Sequence, residues 1–229
     1  MRKSINALWR LVATASAFTL FGIGGALIPI VAVPWIKLSA KTAEERQRKA
    51  RKFTHKTFLT FIYYMKFVGI LSWDVKGVEQ LQQPSQLIIA NHPTLLDIVF
   101  LIAFIPHCDC IVKGKLRSNP AMSGFIHMAN FISNDKGPAL ITAAQQSFEA
   151  GSSMIIFPEG TRTQSDKSIK FQRGAANIAL RTNTAWTPVQ IKCEPNTLSK
   201  QHKWYHIPHK KFHMQFTVAQ PISIDAYKD

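Results

Sequence analysis

Acidic side chains are scarce in this chain. Over 229 residues, 13 Asp and Glu stand against 28 Lys and Arg, a formal net charge of +15. That imbalance implies an anionic partner: nucleic acid, an anionic membrane surface or a phosphorylated substrate. Cysteine is nearly absent, with only Cys108, Cys110 and Cys193. An odd count without framework spacing excludes a disulfide-built secreted domain and fits reduced thiols in the cytosol. His107, Cys108 and Cys110 do not have zinc spacing, and no second cysteine pair exists, so no metal is expected. Internal repeats and low-complexity tracts are missing. So is any helix-turn-helix, zinc-finger or RNA-binding signature. The basic residues are spread along the chain, which counts against a nucleic-acid partner. A membrane-tethered nucleic-acid binder is nevertheless the rival from another functional class, because of the charge.

What is present begins with an apolar run. Residues 11–36 carry no charge, long enough to cross a bilayer. Arg2, Lys3 and Arg10 precede the run. A denser group follows it: Lys37, Lys41, Arg46, Arg48, Lys49, Arg51 and Lys52. By the positive-inside rule the following side faces the cytoplasm, which for this chain points to a bacterial inner membrane. The run is too long for the core of a signal peptide, and no small-residue cleavage site follows it. Gly22, Gly24, Gly25, Pro29 and Pro34 interrupt it, so a straight span and an obliquely seated or re-entrant anchor are both open. Residues 41–52 read as a short charged surface helix. In 53–73, Phe58, Leu59, Phe61, Ile62, Met65, Val68 and Leu71 recur at helical spacing. With Lys56 and Lys66 among them, the segment suits either a helix at the lipid–water interface or a buried helix. Residues 1–72 are therefore expected to form a membrane anchor with interfacial helices, and 73–229 an α/β domain.

From residue 73 onward, strand-like and helix-like stretches alternate, which argues for an α/β sheet flanked by helices. Strands are expected at 73–78, 86–90, 110–112, 131–133, 153–157, 188–193 and 212–218. Helices are expected after His92, at 138–149 with Gly151 closing it, and at 173–181. Near the end, His202, His206, His209 and His213 mix with lysines, Trp204 and Tyr205. Without a carboxylate or cysteine beside them they read as a solvated basic hairpin near the membrane rather than a metal site.

Two stretches carry chemistry. In Leu87-Ile88-Ile89-Ala90-Asn91-His92-Pro93-Thr94-Leu95-Leu96-Asp97, a buried strand ends at Asn91 and a helix opens near Pro93 or Thr94, with Thr94 as a candidate N-cap. His92 then sits at the carboxyl end of a strand, where open α/β sheets place ligands. An Asp97 carboxylate on one ring nitrogen fixes the tautomer and leaves the other nitrogen as a base. No serine or cysteine stands beside the pair, so its natural task is to take a proton from a substrate hydroxyl. The second stretch is Met154-Ile155-Ile156-Phe157-Pro158-Glu159-Gly160-Thr161-Arg162-Thr163, again a buried strand running into a charged turn. Gly160 lets the backbone approach a ligand. Arg162 offers a fork for a phosphate, with the Thr161 and Thr163 hydroxyls beside it. Glu159 has two candidate tasks, to hold Arg162 or to bond a substrate hydroxyl. Lys170 and Arg173 follow at the start of a small-residue helix, a further anion-binding feature.

Together these stretches resemble the first and third signature blocks of the glycerolipid acyltransferases, of the 1-acyl-sn-glycerol-3-phosphate acyltransferase type. Order and separation match, and Thr187-Pro188-Val189-Gln190-Ile191 resembles the fourth block. The resemblance covers about residues 73–191. It implies an α/β acyltransferase fold seated on a membrane, with His92 as general base and Asp97 as its partner. Asn91, Glu159, Gly160, Thr161, Arg162, Lys170 and Arg173 are the substrate-binding residues expected on this reading. The substrates would be a lysophospholipid acceptor and an acyl thioester, on coenzyme A or acyl carrier protein, with no cofactor and with anionic lipids around the anchor. One departure stands out. The second block of the family usually ends in an arginine on the acceptor phosphate, and Asn134 is near that place here, with Lys136 close by. The acceptor is therefore either 1-acyl-sn-glycerol 3-phosphate or a different lysolipid or carrier-bound molecule.

Overall fold

Seven strands form one sheet in the order β1-β7-β6-β2-β5-β3-β4. They are β1 (Leu71–Lys76), β2 (Leu87–Ala90), β3 (Cys108–Val112), β4 (Ile132–Ser133), β5 (Ser153–Ile156), β6 (Trp186–Glu194) and β7 (Phe212–Val218). The molecule is seen here as a computed structural model that describes residues 2–135, 137, 139–164 and 168–227. Lys136 and Pro138 lie outside those residues. Neighbouring strands are parallel except β6 and β7, which are antiparallel. Helices lie between them: α3 (Asp97–Phe104), α4 (Pro120–Ala129), α5 (Ala139–Glu149) and α6 (Gly174–Thr182). The expected α/β sheet flanked by helices is the architecture found.

Burial explains the strand patterns. In β5 all four residues are buried, and in β2 three of four. Central parallel strands covered on both faces read as continuous apolar runs. Along β7, by contrast, buried and more accessible residues alternate, so the expected span 212–218 is met to the residue. Strand β1 starts two residues earlier than expected. It ends because Gly77 takes φ +75° with Val218 O packed where a Cβ would stand, a site only glycine fills without strain.

The two N-terminal helices differ from expectation. Helix α1 is a single helix, Arg2–Ser39, that contains both prolines. At 1.5 Å per residue it is about 57 Å long. It is packed along its length rather than projecting from the body. The Trp9 indole donates to Val68 O, Phe21 meets Phe58 and Phe61, and Ala32 and Ile36 cluster with Ala50. At Gly124 of α4 the approach is so close that a Cβ would stand 2.4 Å from Pro29 Cγ. The opposite stripe of α1 stays exposed, through Leu8, Leu20, Ile23, Leu27, Ile30, Val31, Trp35 and Leu38.

Helix α2 (Ala43–Phe67) is continuous, not a short surface helix followed by a second one. Thr42 caps it, accepting from Glu45 N at 3.1 Å, and the helical registers of 41–52 and 53–67 run together without a breaker. It is a buried helix: Phe58, Ile62 and Met65 share one apolar cluster with Ile88, Phe100 and Phe216. That cluster draws on residues from both sides of position 72.

A buried ion pair pins α2 to the sheet. Arg51 reaches Asp109 of β3, which also accepts from Ser147 of α5. Arg51 and Asp109 are 6% and 1% exposed, and among the described residues Arg51 Nε and Asp109 Oδ1 have no hydrogen-bond partner. Burial pushes the Asp109 carboxyl up, while Arg51 and Ser147 pull it back. Removing one member of such a pair strands a buried charge, at a cost of about 3–5 kcal/mol, whereas replacing both by apolar groups is close to neutral. Thermal melting of Asp109→Ala is therefore expected to show a large loss of stability. An Arg51→Met/Asp109→Leu double variant is expected to recover most of it. Equal losses in the two would contradict this account.

Candidate active site

Strands β2 and β5 lie side by side and parallel, with Ile89 opposite Ile156. Their carboxyl ends therefore deliver the two motif turns to the same edge of the sheet. The turns are stitched together. Glu159 Oε1 accepts from His92 N at 2.9 Å and from the Thr163 hydroxyl at 2.8 Å. Thr163 N donates back to His92 O at 2.7 Å. Of the two tasks expected of Glu159, holding Arg162 is not what its Oε1 does here. Its carboxylate fixes the backbone that carries His92.

The His92–Asp97 pair forms as expected, at 2.8 Å between Nδ1 and Oδ2. The helix after it does not open at Pro93 or Thr94 but at Asp97. The intervening turn is built by the same carboxylate: Asp97 accepts from Thr94 N at 2.7 Å and from the Thr94 hydroxyl at 2.6 Å. Half of a capping box is present, the acidic arm. Thr94 Oγ1 accepts instead from Leu96 N at 3.1 Å. Asp97 is fully buried and the His92 side chain only 19% exposed. An ionised Asp97 requires the proton on Nδ1, so Nε2 is the basic nitrogen. The ring stacks on Phe157 at 4.1 Å and 18°, which holds it from the other side. Phe157 escaped the sequence reading, although it stands directly before the proline of the second turn.

The other predicted site residues divide. Asn91 is committed to structure: its amide donates to Ile191 O at 2.8 Å and accepts from Ile191 N at 2.6 Å. It thus extends the β2–β6 ladder by one side chain. Arg162 donates through Nη1 to Leu198 O and Ser199 O at 2.8 and 3.0 Å. Burial lowers its pKa, and Asp97 nearby raises it again. Gly160 takes φ +63° in the turn, and Thr161 lies beside it, partly exposed. Lys170 and Arg173 are exposed. They flank Gln172, whose N–H donates to Pro158 O at 2.7 Å, so both cations stand beside the second turn. Asn134 accepts from Gly114 N at 3.3 Å, at the β3–β4 edge.

His92 opens into a cavity of about 380 Å³, missed by the sequence reading. Its lining is almost wholly apolar, with Phe18, Phe21, Phe61 and Met65 on α1 and α2 and Leu96 and Val99 beyond His92. Trp204, His206 and Ile207 complete it. The basic hairpin expected there is not formed. Residues 195–211 cross the catalytic edge as turns, with Trp204 against Phe18 of α1 at 5.9 Å. His213 is not part of that segment but lies in β7, bonded to Ser72 and Asp74. Alternating aromatic and basic residues at 202–213 were the available signal. They fit a packed cover as well as a solvated loop.

A model of the family described as Acyltransferase matches residues 72–192, more than half of the chain. The chain belongs to the acyltransferase family. The 1-acyl-sn-glycerol-3-phosphate acyltransferase of Helicobacter pylori is 27% identical over 139 residues, 58% of this chain and 56% of that protein. The enzyme of the same name from Saccharomyces cerevisiae is 28% identical over 140 residues, 57% of this chain and 46% of that one. The chain spans about half the length of the curated relatives it matches. The crystal structure of the 1-acyl-sn-glycerophosphate (LPA) acyltransferase PlsC from Thermotoga maritima superposes with a TM-score of 0.74. It is 22% identical, and the match covers 100% of this chain and 90% of that one. The fold is thus shared along the whole chain, α1 included.

The buried carboxyl makes a measurable prediction. Burial holds Asp97 above its ordinary range, and the bonds from His92 and Thr94 offset this only in part. A carboxyl raised on folding contributes most to stability when protonated, and that contribution is lost as pH rises through the raised value. Asp97→Asn has no charge to bury. Its melting temperature is expected to exceed that of the wild type at neutral pH, and the gap to close in acid, toward about pH 4. A less stable variant at neutral pH would overturn this.

Proposed function

We propose that the chain transfers a fatty acyl group from an acyl thioester to the free hydroxyl of 1-acyl-sn-glycerol 3-phosphate. The observation that carries this is the His92–Asp97 pair opening into a long apolar cavity. A base with no neighbouring nucleophile suits direct transfer, and an apolar chamber beside it suits a fatty chain. The names of the relatives point the same way.

The acceptor hydroxyl gives its proton to His92 Nε2, and its oxygen attacks the thioester carbonyl carbon. The C–S bond breaks, and the departing thiolate takes the proton from the imidazolium. Asp97 keeps Nδ1–H in place and stabilises the imidazolium between these steps. We assign the phosphate of the acceptor to the second turn. Arg162 keeps N–H groups beyond the Nη1 bonds to Leu198 and Ser199 for it, with Gly160, Thr161, Lys170 and Arg173 in the same turn region. The donor is an acyl thioester of coenzyme A or acyl carrier protein, and no cofactor enters the reaction.

The surface of helix α1 supports seating the protein on a membrane. Its exposed apolar stripe runs the length of the helix while the other side is packed on the body. A helix so held lies along the leaflet rather than crossing it. We place the catalytic domain on the cytoplasmic face, in bacteria the inner membrane, from the basic residues after α1. Because Asn134 is turned to Gly114, a different lysolipid or a carrier-bound acceptor is the second reading.

Thiol release from a long-chain acyl thioester in detergent tests these assignments. With lysophosphatidate as acceptor, His92→Ala is expected to lose about 10²–10⁴-fold, the usual worth of a general base. Full activity in both His92→Ala and Asp97→Ala would sink the mechanism. Release only with another lysolipid would keep the chemistry and move the acceptor. Glu159→Gln retains an acceptor for His92 N and is expected to stay within a few-fold of wild type. Glu159→Ala leaves that N–H unpaired, worth about 1–3 kcal/mol, and is expected to fall about tenfold or more.

A further inference from the structure

A second cavity lies farther along α1, on the C-terminal side of the first. It is a groove of about 760 Å³ between the C-terminal half of α1, the start of α2 and the end of α4. Its floor is apolar: Ala26, Pro29, Val33 and Ile36 of α1, with Met128 of α4. Its rim carries Lys37 and Arg46. Both are exposed, and among the described residues neither side chain has a hydrogen-bond or ion-pair partner. Among the described residues no Asp or Glu lines the groove. Glu45, at the start of α2, is taken up by Lys49 at 2.8 Å and by Lys41 N at 2.9 Å. The groove is also open to the apolar stripe of α1, because Ile30 belongs to both and is 66% exposed.

We propose that this groove holds one anionic glycerophospholipid of the leaflet, distinct from any substrate at His92. Three observations converge on that chemistry. The volume is within the usual range of ligand sites, about 300–1,000 Å³. Two cations without a partner among the described residues, Lys37 from the end of α1 and Arg46 from the start of α2, line it, and they suit a phosphate. The apolar floor runs away from them along α1, the direction of an acyl chain in the leaflet. The proposal rests on the membrane seating of α1 but not on the reaction at His92.

Native mass spectrometry of the full chain in detergent tests it, with the His92→Ala variant so that turnover plays no part. Phosphatidylglycerol and phosphatidylcholine are added separately. One retained phosphatidylglycerol per chain is expected, with phosphatidylcholine retained far less. Lys37→Gln/Arg46→Gln is expected to weaken phosphatidylglycerol retention about thirtyfold, since each cation at a lipid surface is worth about fivefold. Lys210→Gln/Lys211→Gln removes the same charge elsewhere and is expected to leave retention unchanged. Ala26→Trp fills the floor without touching charge and is expected to abolish retention, with melting temperature as the folding control. Equal retention of the two lipids, equal loss in the two charge variants, or a protein dimer in place of a lipid adduct would overturn the proposal. Thiol release by the wild type reads the reaction separately, so failure of one does not imply failure of the other.

Discussion

The catalytic edge depends on one carboxylate that ties its two turns together. Glu159 Oε1 takes hydrogen bonds from the backbone of one motif turn and the hydroxyl of the other. Two short strands are thereby converted from neighbours into a single rigid rim. The His92 ring is then held on three sides: its own main chain by Glu159, Nδ1 by Asp97, and one ring face by Phe157. Preorganisation of this kind matters because a misplaced base loses rate steeply. It also explains why Asp97 is tolerated in a fully buried position. Its two oxygens receive a ring N–H, a backbone N–H and a hydroxyl, so the turn that positions the base is built by the group that tunes it.

The topology decides what surrounds that rim. Strand β6 runs parallel to β2, and β7 reverses. The reversal brings the end of β6 and the start of β7 to the catalytic edge, together with residues 195–211 between them. Strand β1 is parallel to β7, so its start, and with it the end of α2, lies on the same edge. The α1–α2 pair can then lie over His92 and close the apolar cavity. A single antiparallel pairing in an otherwise parallel sheet thus allows an N-terminal helix to roof a site made by strands much later in the chain.

These relations mark what the sequence could show. His92 and Asp97 were legible as a pair because both lie in one stretch, close enough for a turn to join them. The apolar runs of β2 and β5 were legible because buried parallel strands lose their alternation. The family blocks added the neighbourhood of the two turns. The tasks of Glu159, Asn91 and Arg162 were not legible, since each is satisfied by a partner from another strand or loop: His92, Ile191, and Leu198 with Ser199. A polar residue in a motif looks the same in sequence whether it faces a ligand or a neighbouring backbone. The fusion of 41–52 with 53–67 was hidden by composition, because charge on one end and aromatics on the other suggested two environments where one helix passes from rim to core.

Arg162 carries a last consequence. Its fork is held by two carbonyl oxygens rather than by a carboxylate. Carbonyl dipoles orient a guanidinium without neutralising it, and the charge that acts on it from nearby is that of buried Asp97. With Lys170 and Arg173 exposed beside the same turn, the rim carries a positive potential. On the proposed reaction, an anionic headgroup would be drawn in over about a Debye length, roughly 8–10 Å, before any hydrogen bond forms. Capture and turnover would then be governed by different physics. Dissolved salt would slow the first by screening that field, and leave a proton transfer at His92, inside its apolar chamber, largely untouched.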